Sequence, residues 1–205
     1  MIDSPIPASE RSIGPLSRMT RAALLAFYRQ QGWRAEGTPP PGGRYVIIAA
    51  PHTSNWDFVY FLGLTEELGI EPHFMAKASL FRWPLGGFMR DMGGIAVDRS
   101  GNHDMVSAMI AEFARRDRFA LVIAPEGTRS QVRAWRTGFY HIALGAGVPM
   151  VVGMMDYARR VGGLGQAIMP SGDMAADMAQ IAAAYRGVTP RHPARGMIDF
   201  AGDAR

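Results

Sequence analysis

Cysteine is absent from the 205-residue sequence, and its absence removes several kinds of chemistry at once. A chain without thiols cannot form a disulfide framework, a thiolate metal site or an acyl-cysteine intermediate. The histidines outside position 52 lack the paired spacing that metal sites require; they are His73, His103, His141 and His192. We therefore predict neither a resident metal nor any other cofactor.

Long apolar runs are also missing. No uninterrupted run approaches the roughly 18 residues that a membrane-spanning helix needs. The first residues, Met-Ile-Asp-Ser-Pro, lack the basic and then apolar pattern of a signal peptide. We therefore expect a cytoplasmic location. The chain is 48% hydrophobic and 10% aromatic, which favours one globular core over a disordered chain.

The positive charge is concentrated near the N-terminus. The net charge is +4, and the stretch from Leu16 to Arg34 contains no acidic residue. Its four arginines alternate with apolar residues at spacings of three and four, so we predict an amphipathic helical segment over residues 1–34. Such a helix would either dock on the anionic inner face of a membrane or pack on the core as an ordinary surface helix. Basic charge also suits nucleic acid, but no basic–aromatic interleaving supports such a partner.

The remaining pattern alternates apolar strands with helices. Strands are predicted near 45–50, 71–76, 94–97, 119–124 and 148–152, and helices near 57–68, 84–91, 102–113, 138–146 and from Asp173. Residues 156–169 are predicted to form a hairpin with Gly162, Gly163 and Gly165 in its middle. We expect an α/β domain over 44–186, a mostly parallel sheet flanked by helices. A connector over 35–43 would precede it, and a tail over 187–205 would follow.

Polar clusters follow three of the predicted strands. His52 follows the first, Asp98 and Arg99 follow another, and Glu126-Gly-Thr-Arg129 follows a third. Because the carboxyl ends of parallel strands share one edge of a sheet, these clusters predict one shared site.

His52 and Asp57 have the chemistry of a base and the group that orients it. They would point about 140° apart on one regular helix, so a bend between strand and helix is needed to bring them together. A carboxylate on one imidazole nitrogen leaves the other free to accept a proton. No Gly-x-Ser-x-Gly motif supplies an enzyme nucleophile, which favours direct attack by a substrate hydroxyl. The pair alone would also suit a surface histidine beside a helix-capping residue.

The third cluster has the chemistry of an anion-binding loop. Gly127 permits close backbone approach, Thr128 offers a hydroxyl, and Arg129 can bind a phosphate through two hydrogen bonds. Glu126 would hold an arginine or a hydroxyl. Lys77 is a further cation near these segments. The alternative is an ordinary strand-to-loop turn whose charged side chains are simply solvated.

Four segments together resemble the glycerolipid acyltransferase family: His52-x4-Asp57, Gly94 through Asp98-Arg99, Pro125-Glu126-Gly-Thr-Arg129 and Val148-Pro149. The resemblance implies an acyltransferase-like fold with His52 and Asp57 catalytic. It implies acyl-CoA or acyl carrier protein as donor, and a lysophospholipid such as 1-acyl-glycerol-3-phosphate as acceptor. Arg99, Glu126, Gly127, Thr128 and Arg129 would bind that acceptor. A different lipid acceptor, or a lipid-binding member without catalysis, remains the alternative.

Overall fold

A single mixed sheet organises the chain. The computed structural model describes residues 13–97 and 102–196. The described residues form seven strands, which are β1 (Arg34–Glu36), β2 (Arg44–Ala49), β3 (Pro72–Lys77), β4 (Gly94–Val97), β5 (Phe119–Ile123), β6 (Met150–Asp156) and β7 (Val161–Ile168). The helices are α1 (Pro15–Gln30), α2 (Trp56–Glu67), α3 (Gly86–Asp91), α4 (Asn102–Arg115), α5 (Gly138–Ala146), α6 (Met174–Ala184) and the short α7 (Pro193–Gly196).

The strand order is β1-β7-β6-β2-β5-β3-β4. Strands β6, β2, β5, β3 and β4 are mutually parallel, whereas β7 pairs antiparallel with β6 and parallel with β1. The predicted α/β fold with a mostly parallel sheet is therefore confirmed. β2 lies near the centre, so the loop that carries His52 leaves the middle of the sheet at its carboxyl edge.

Helices cover both faces of the sheet, which explains why the central strands are apolar on both sides. Val46 and Ile48 of β2 face the cluster that contains α4, α5 and α6. Tyr45 and Ile47 face the opposite cluster, which α2 and α3 complete. Met174, Met178, Ile181 and Tyr185 pack on the first cluster, as their helical spacing predicts.

A hairpin is present, but it begins earlier in the chain than predicted, because β6 and β7 form its two strands. The turn spans residues 157–160, and the three glycines expected in the turn lie inside β7. A side chain at Gly163 would meet the Glu36 carbonyl oxygen at 2.1 Å, and one at Gly162 would meet Leu64 at 2.5 Å. These glycines let β1 and α2 approach the strand closely. The glycines that predicted a turn therefore allow close packing inside a strand.

Both ends of the described chain differ from the predicted pattern. The first helix ends at Gln30, and Arg34–Glu36, partly assigned to the connector, form edge strand β1. A three-residue edge strand is too short for an alternating pattern to announce it. The expected tail contains α7, while residues 197–205 lie outside the described residues.

Helix α1 packs along α2 in the opposite direction. Arg21 pairs with Glu66 near the end of α2, and Phe27 contacts Trp56 at its start. Tyr28 is buried directly over Gly63, where any side chain would clash with its ring. Leu16 and Met19 on the first turns of α1 are 75% and 71% exposed. Within the described ranges, no helix combines the length and apolar character needed to cross a bilayer.

Candidate active site

The loop after β2 brings His52 and Asp57 into contact. The Nδ1 atom of His52 lies 3.0 Å from Oδ2 of Asp57, and the histidine side chain is 30% exposed. The start of α2 produces the bend, because the Ser54 hydroxyl accepts the backbone N–H of Trp56 at 3.2 Å. With Nδ1 engaged, Nε2 is the nitrogen left to exchange a proton with a substrate.

Asp57 is buried, and both its oxygens accept hydrogen bonds. Oδ2 accepts the backbone N–H groups of Thr53 and Ser54, each at 2.9 Å, in addition to the imidazole. Oδ1 accepts the hydroxyl of Tyr157 at 2.5 Å. Burial pushes the pKa of Asp57 upward, but the bonds from His52, Tyr157 and Ser54 outweigh it and hold the pKa below its usual value. The site therefore holds a carboxylate ready to stabilise an imidazolium.

The side chain of Glu126 contacts the loop that carries His52. Its Oε1 accepts the backbone N–H of His52 at 3.1 Å. Its Oε2 is buried and has no hydrogen-bond partner among the described residues. Burial is the main cause that raises the pKa of Glu126 to about 7, and the bond from the His52 amide offsets only part of it. The carboxyl expected to bind substrate thus contacts the backbone of the histidine itself.

Glu126 should make the folding stability depend on pH. Folding raises the pKa of Glu126 from 4.5 to about 7. The stabilisation from the protonated carboxyl is therefore complete below pH 4.5 and is lost as the pH rises through 7. At about 1.4 kcal/mol per pH unit, the expected loss between pH 5 and 8 is roughly 2–3 kcal/mol. In Glu126→Gln this loss should disappear from denaturant unfolding curves. The exposed Glu71→Gln should keep the wild-type slope, and an unchanged slope in Glu126→Gln would contradict the assignment.

The loop after β5 carries the other predicted residues to the rim of the site. Gly127 has a φ of +62°, a conformation that favours glycine. The exposed Arg129 donates a hydrogen bond to the side-chain oxygen of Asn55, at the start of α2. Thr128 accepts the N–H of Ser130 at 3.3 Å and is also exposed. The loop thus places a cation beside the helix that carries Asp57.

Of the two remaining predicted cations, Lys77 and Arg99, the structure describes Lys77 alone. Lys77 is exposed at the carboxyl end of β3, which β5 separates from β2. Two strand spacings correspond to roughly 10 Å. Arg99 lies outside the described residues. Within the described residues, no three histidine, aspartate or glutamate side chains form a group that could hold a metal ion.

Two residues beside His52 and Asp57 were not predicted from the sequence. Tyr157 lies in the β6–β7 turn, and the guanidinium of Arg191 lies 5.7 Å from its ring centroid and 5.6 Å from that of Trp56. The backbone N–H of His192 donates to the Thr53 hydroxyl at 3.3 Å. Arg191 therefore contacts the start of α2, and His192 contacts the segment between β2 and α2 that carries His52. No motif announces these residues, because only the fold brings them to the loop.

An apolar pocket opens beside His52 and Asp57. It extends between α2 and the sheet toward the far end of α2. Its walls are formed largely by aliphatic and aromatic side chains, among them Ile47, Phe61, Leu64, Leu68, Val122, Met154 and Leu164. The site thus combines a base, a carboxylate and an apolar recess.

Comparisons with known proteins point to one family. A family model described as acyltransferase matches residues 33–155. The 1-acyl-sn-glycerol-3-phosphate acyltransferase of Salmonella typhimurium is 30% identical over 113 residues, which cover 52% of this chain and 44% of the relative. The lyso-ornithine lipid O-acyltransferase of Pseudomonas aeruginosa is 31% identical over 119 residues, which cover 56% of this chain and 44% of that protein. The match spans less than half the length of these curated relatives.

A solved structure has the same fold. The 1-acyl-sn-glycerophosphate acyltransferase PlsC from Thermotoga maritima superposes with a TM-score of 0.57. The superposition covers 84% of this chain and 80% of that one, at 19% sequence identity. At this identity the likeness concerns the fold, and it confirms the expected acyltransferase-like architecture.

Proposed function

The chain belongs to the acyltransferase family, and on that premise we propose that it transfers a fatty acyl group from a thioester to a lysophospholipid hydroxyl. The observation that carries the proposal is the buried Asp57 carboxylate on Nδ1 of His52, with Nε2 left available. The proposed donor is acyl-CoA or acyl carrier protein. The proposed acceptor is a lysophospholipid of the 1-acyl-glycerol-3-phosphate type, the kind named for several relatives.

The proposed reaction needs one base and no acyl-enzyme. The acceptor hydroxyl gives its proton to Nε2 of His52 while its oxygen bonds to the thioester carbonyl carbon. The Asp57 carboxylate stabilises the imidazolium that results. When the tetrahedral adduct collapses, the carbon–sulfur bond breaks and the sulfur takes the proton from His52. The products are an ester and a free thiol, and His52 is ready for another cycle.

The apolar pocket supports a fatty acyl substrate. Its aliphatic and aromatic lining begins beside the dyad and continues under α2, so a hydrocarbon chain would leave water with its reactive end near His52. A polar acyl group would lose its hydration without gaining partners there. Release of free thiol from long-chain acyl donors, measured over a panel of lysophospholipids, tests the proposed function. A binding protein without catalysis would retain the lipids and release no thiol.

Arg129 is proposed to hold the acceptor phosphate. A hydrogen bond to a charged group contributes about 1.5–3 kcal/mol, so Arg129→Ala should raise the acceptor KM roughly tenfold or more. The KM for the acyl donor should change far less. Arg133→Ala, which removes an exposed arginine from the same loop, is the matched control. Equal deterioration of donor and acceptor kinetics would contradict the role.

An acceptor without a phosphate is the second candidate. The relative from Pseudomonas aeruginosa is named for a lyso-ornithine lipid, so the fold also serves a protein named for another lipid class. Thiol release measured with 1-acyl-glycerol-3-phosphate and with a lyso-ornithine lipid separates the two candidates, because only the true acceptor should accelerate it.

A membrane surface at the cytoplasmic face is the proposed source of the acceptor. Leu16, Arg18 and Met19, all in the first turns of α1, are exposed. Leu16→Ser with Met19→Ser should lower binding to anionic vesicles by roughly tenfold in sedimentation, because two apolar side chains lose their burial in the interface. These point changes are preferable to truncation, which would remove buried Tyr28. Equal binding by the double variant would contradict docking through α1.

A second exposed apolar element provides the comparison for that experiment. Trp83 follows β3 at the carboxyl edge of the sheet and is 94% exposed, whereas Trp33 and Trp135 are buried. Trp83→Ser therefore tests docking at the edge that carries the dyad, while Leu16 and Met19 lie beside the opposite end of α2. Loss of binding in Trp83→Ser alone would assign docking to that edge.

A further inference from the structure

Tyr157 is joined to the catalytic pair from a distant part of the chain. It stands 100 residues after Asp57, and its hydroxyl donates to Oδ1 at 2.5 Å. The other oxygen of the same carboxylate faces His52 at 3.0 Å. Tyr157 also lies just beyond residues 33–155, the span that matches the family model.

The environment of Tyr157 fixes the direction of its hydroxyl. Its ring packs edge-on against Trp33, with centroids 5.0 Å apart, and against Tyr60, with centroids 5.5 Å apart. Its backbone N–H donates to the carbonyl of Thr189 at 2.8 Å, and Arg191 lies over its outer face. Burial first, and the bond to Asp57 second, raise the pKa of the Tyr157 hydroxyl, so it remains protonated and donating.

The hydrogen bond from Tyr157 limits rotation of the Asp57 carboxylate. The amides of Thr53 and Ser54 and the imidazole all engage Oδ2, so Oδ1 depends on Tyr157 alone among the described residues. A carboxylate held at one oxygen can turn about its Cβ–Cγ bond, and turning would misalign Oδ2 with the imidazole. Holding both oxygens keeps the acceptor directed at Nδ1.

We propose that Tyr157 is a positioning residue for the acyl transfer, the outer member of a His52–Asp57–Tyr157 chain of hydrogen bonds. The inference rests on the proposed function, since it assigns Tyr157 a part in the same site. Tyr157 touches no reacting atom. Its hydroxyl fixes the orientation of the Asp57 carboxylate and, by donating a hydrogen bond, offsets part of the negative charge of that carboxylate. The charge that remains sets how strongly Asp57 stabilises the His52 imidazolium.

Tyr157→Phe removes one hydroxyl and retains the ring packing. We expect kcat to fall roughly tenfold, as loss of one hydrogen bond to a charged group predicts, with both KM values within about twofold of wild type. Without its donor, the Asp57 carboxylate carries more uncompensated charge and favours the imidazolium. The acid limb of the kcat/KM profile should therefore move upward by roughly half a pH unit or more.

Tyr60→Phe is the matched control. It removes the same atom from a neighbouring ring of the same aromatic cluster, and Tyr60 makes no hydrogen bond to Asp57 in the part of the chain that the structure describes. We expect Tyr60→Phe to keep wild-type kcat and pH profile. If Tyr157→Phe matches Tyr60→Phe in both measurements, the positioning role is wrong.

An NMR measurement keeps this test independent of the proposed function. The Nδ1–H signal of His52, assigned by its absence in His52→Ala, should change its chemical shift in Tyr157→Phe and keep the wild-type value in Tyr60→Phe. An unchanged chemical shift in Tyr157→Phe would overturn the inference without bearing on acyl transfer. Absence of acyl transfer in the wild-type protein would instead reject the proposed function, with the chemical shift still reporting on the Tyr157–Asp57 bond.

Discussion

His52→Ala is expected to lower kcat at least about a hundredfold while the circular dichroism and the melting temperature stay near wild type. An alcohol is a poor nucleophile at neutral pH, and a positioned general base contributes about 10²–10⁴-fold. The imidazole is partly exposed, so its removal leaves no large buried cavity. Single-turnover kinetics with saturating donor and acceptor would measure the chemical step directly.

The matched control for this variant is His141→Ala. His141 is an exposed histidine on α5, and it packs beside Tyr140 on the face of the sheet opposite α2. Its removal should leave kcat within about twofold of wild type, as expected for a surface substitution. A comparable loss of activity in both variants would show that the effect is not specific to the proposed base.

The absence of an acyl-enzyme is tested with the same protein. Incubation with labelled acyl donor and no acceptor should leave no label on the chain, because direct transfer needs a ternary complex. Ser54 is buried, and its hydroxyl already accepts the N–H of Trp56, whereas Ser130 is exposed. A stoichiometric acyl-protein adduct that acylates added acceptor would contradict the mechanism and direct attention to these two serines.

The features predicted well from sequence have local signals. The central strands are continuous apolar runs, and α5 occupies the predicted residues 138–146, which are mostly apolar apart from His141. The contact between His52 and Asp57 also depends on local structure, since a strand end, a short bend and one helical turn separate them. In each case the residues that decide the geometry lie within a few positions of one another.

The features missed from sequence depend on long-range contacts. The aromatic contacts and the backbone bond that hold Tyr157 against Asp57 form only once Trp33, Tyr60 of α2 and Thr189 have packed against the β6–β7 turn. The same holds for the bond between the His52 amide and the Glu126 carboxylate, which joins residues 74 positions apart in the sequence. A sequence motif can identify a functional residue. It does not show which atoms the side chain contacts, because those atoms come from distant parts of the chain.

Asp57→Asn should be nearly as slow as His52→Ala, with a loss of roughly 10²–10⁴-fold in kcat, because a neutral amide cannot stabilise the imidazolium. The contacts predict how the amide will sit. Oδ2 faces three donors, two backbone N–H groups and the imidazole, whereas Oδ1 faces a hydroxyl that can rotate to accept a bond. The asparagine oxygen should take the Oδ2 position, which preserves the imidazole geometry and removes only the charge.

Asp177→Asn is the control that distinguishes loss of the Asp57 charge from general destabilisation of the fold. Asp177 is likewise buried and accepts a tyrosine hydroxyl, from Tyr140 at 2.9 Å, and a backbone N–H, from Ser171 at 2.7 Å. Both variants should lower the melting temperature, since each removes a hydrogen-bonded buried carboxylate. Only Asp57→Asn should lower kcat. A similar loss of kcat in Asp177→Asn, or less than a tenfold loss in Asp57→Asn, would show that the Asp57 charge does not drive the reaction.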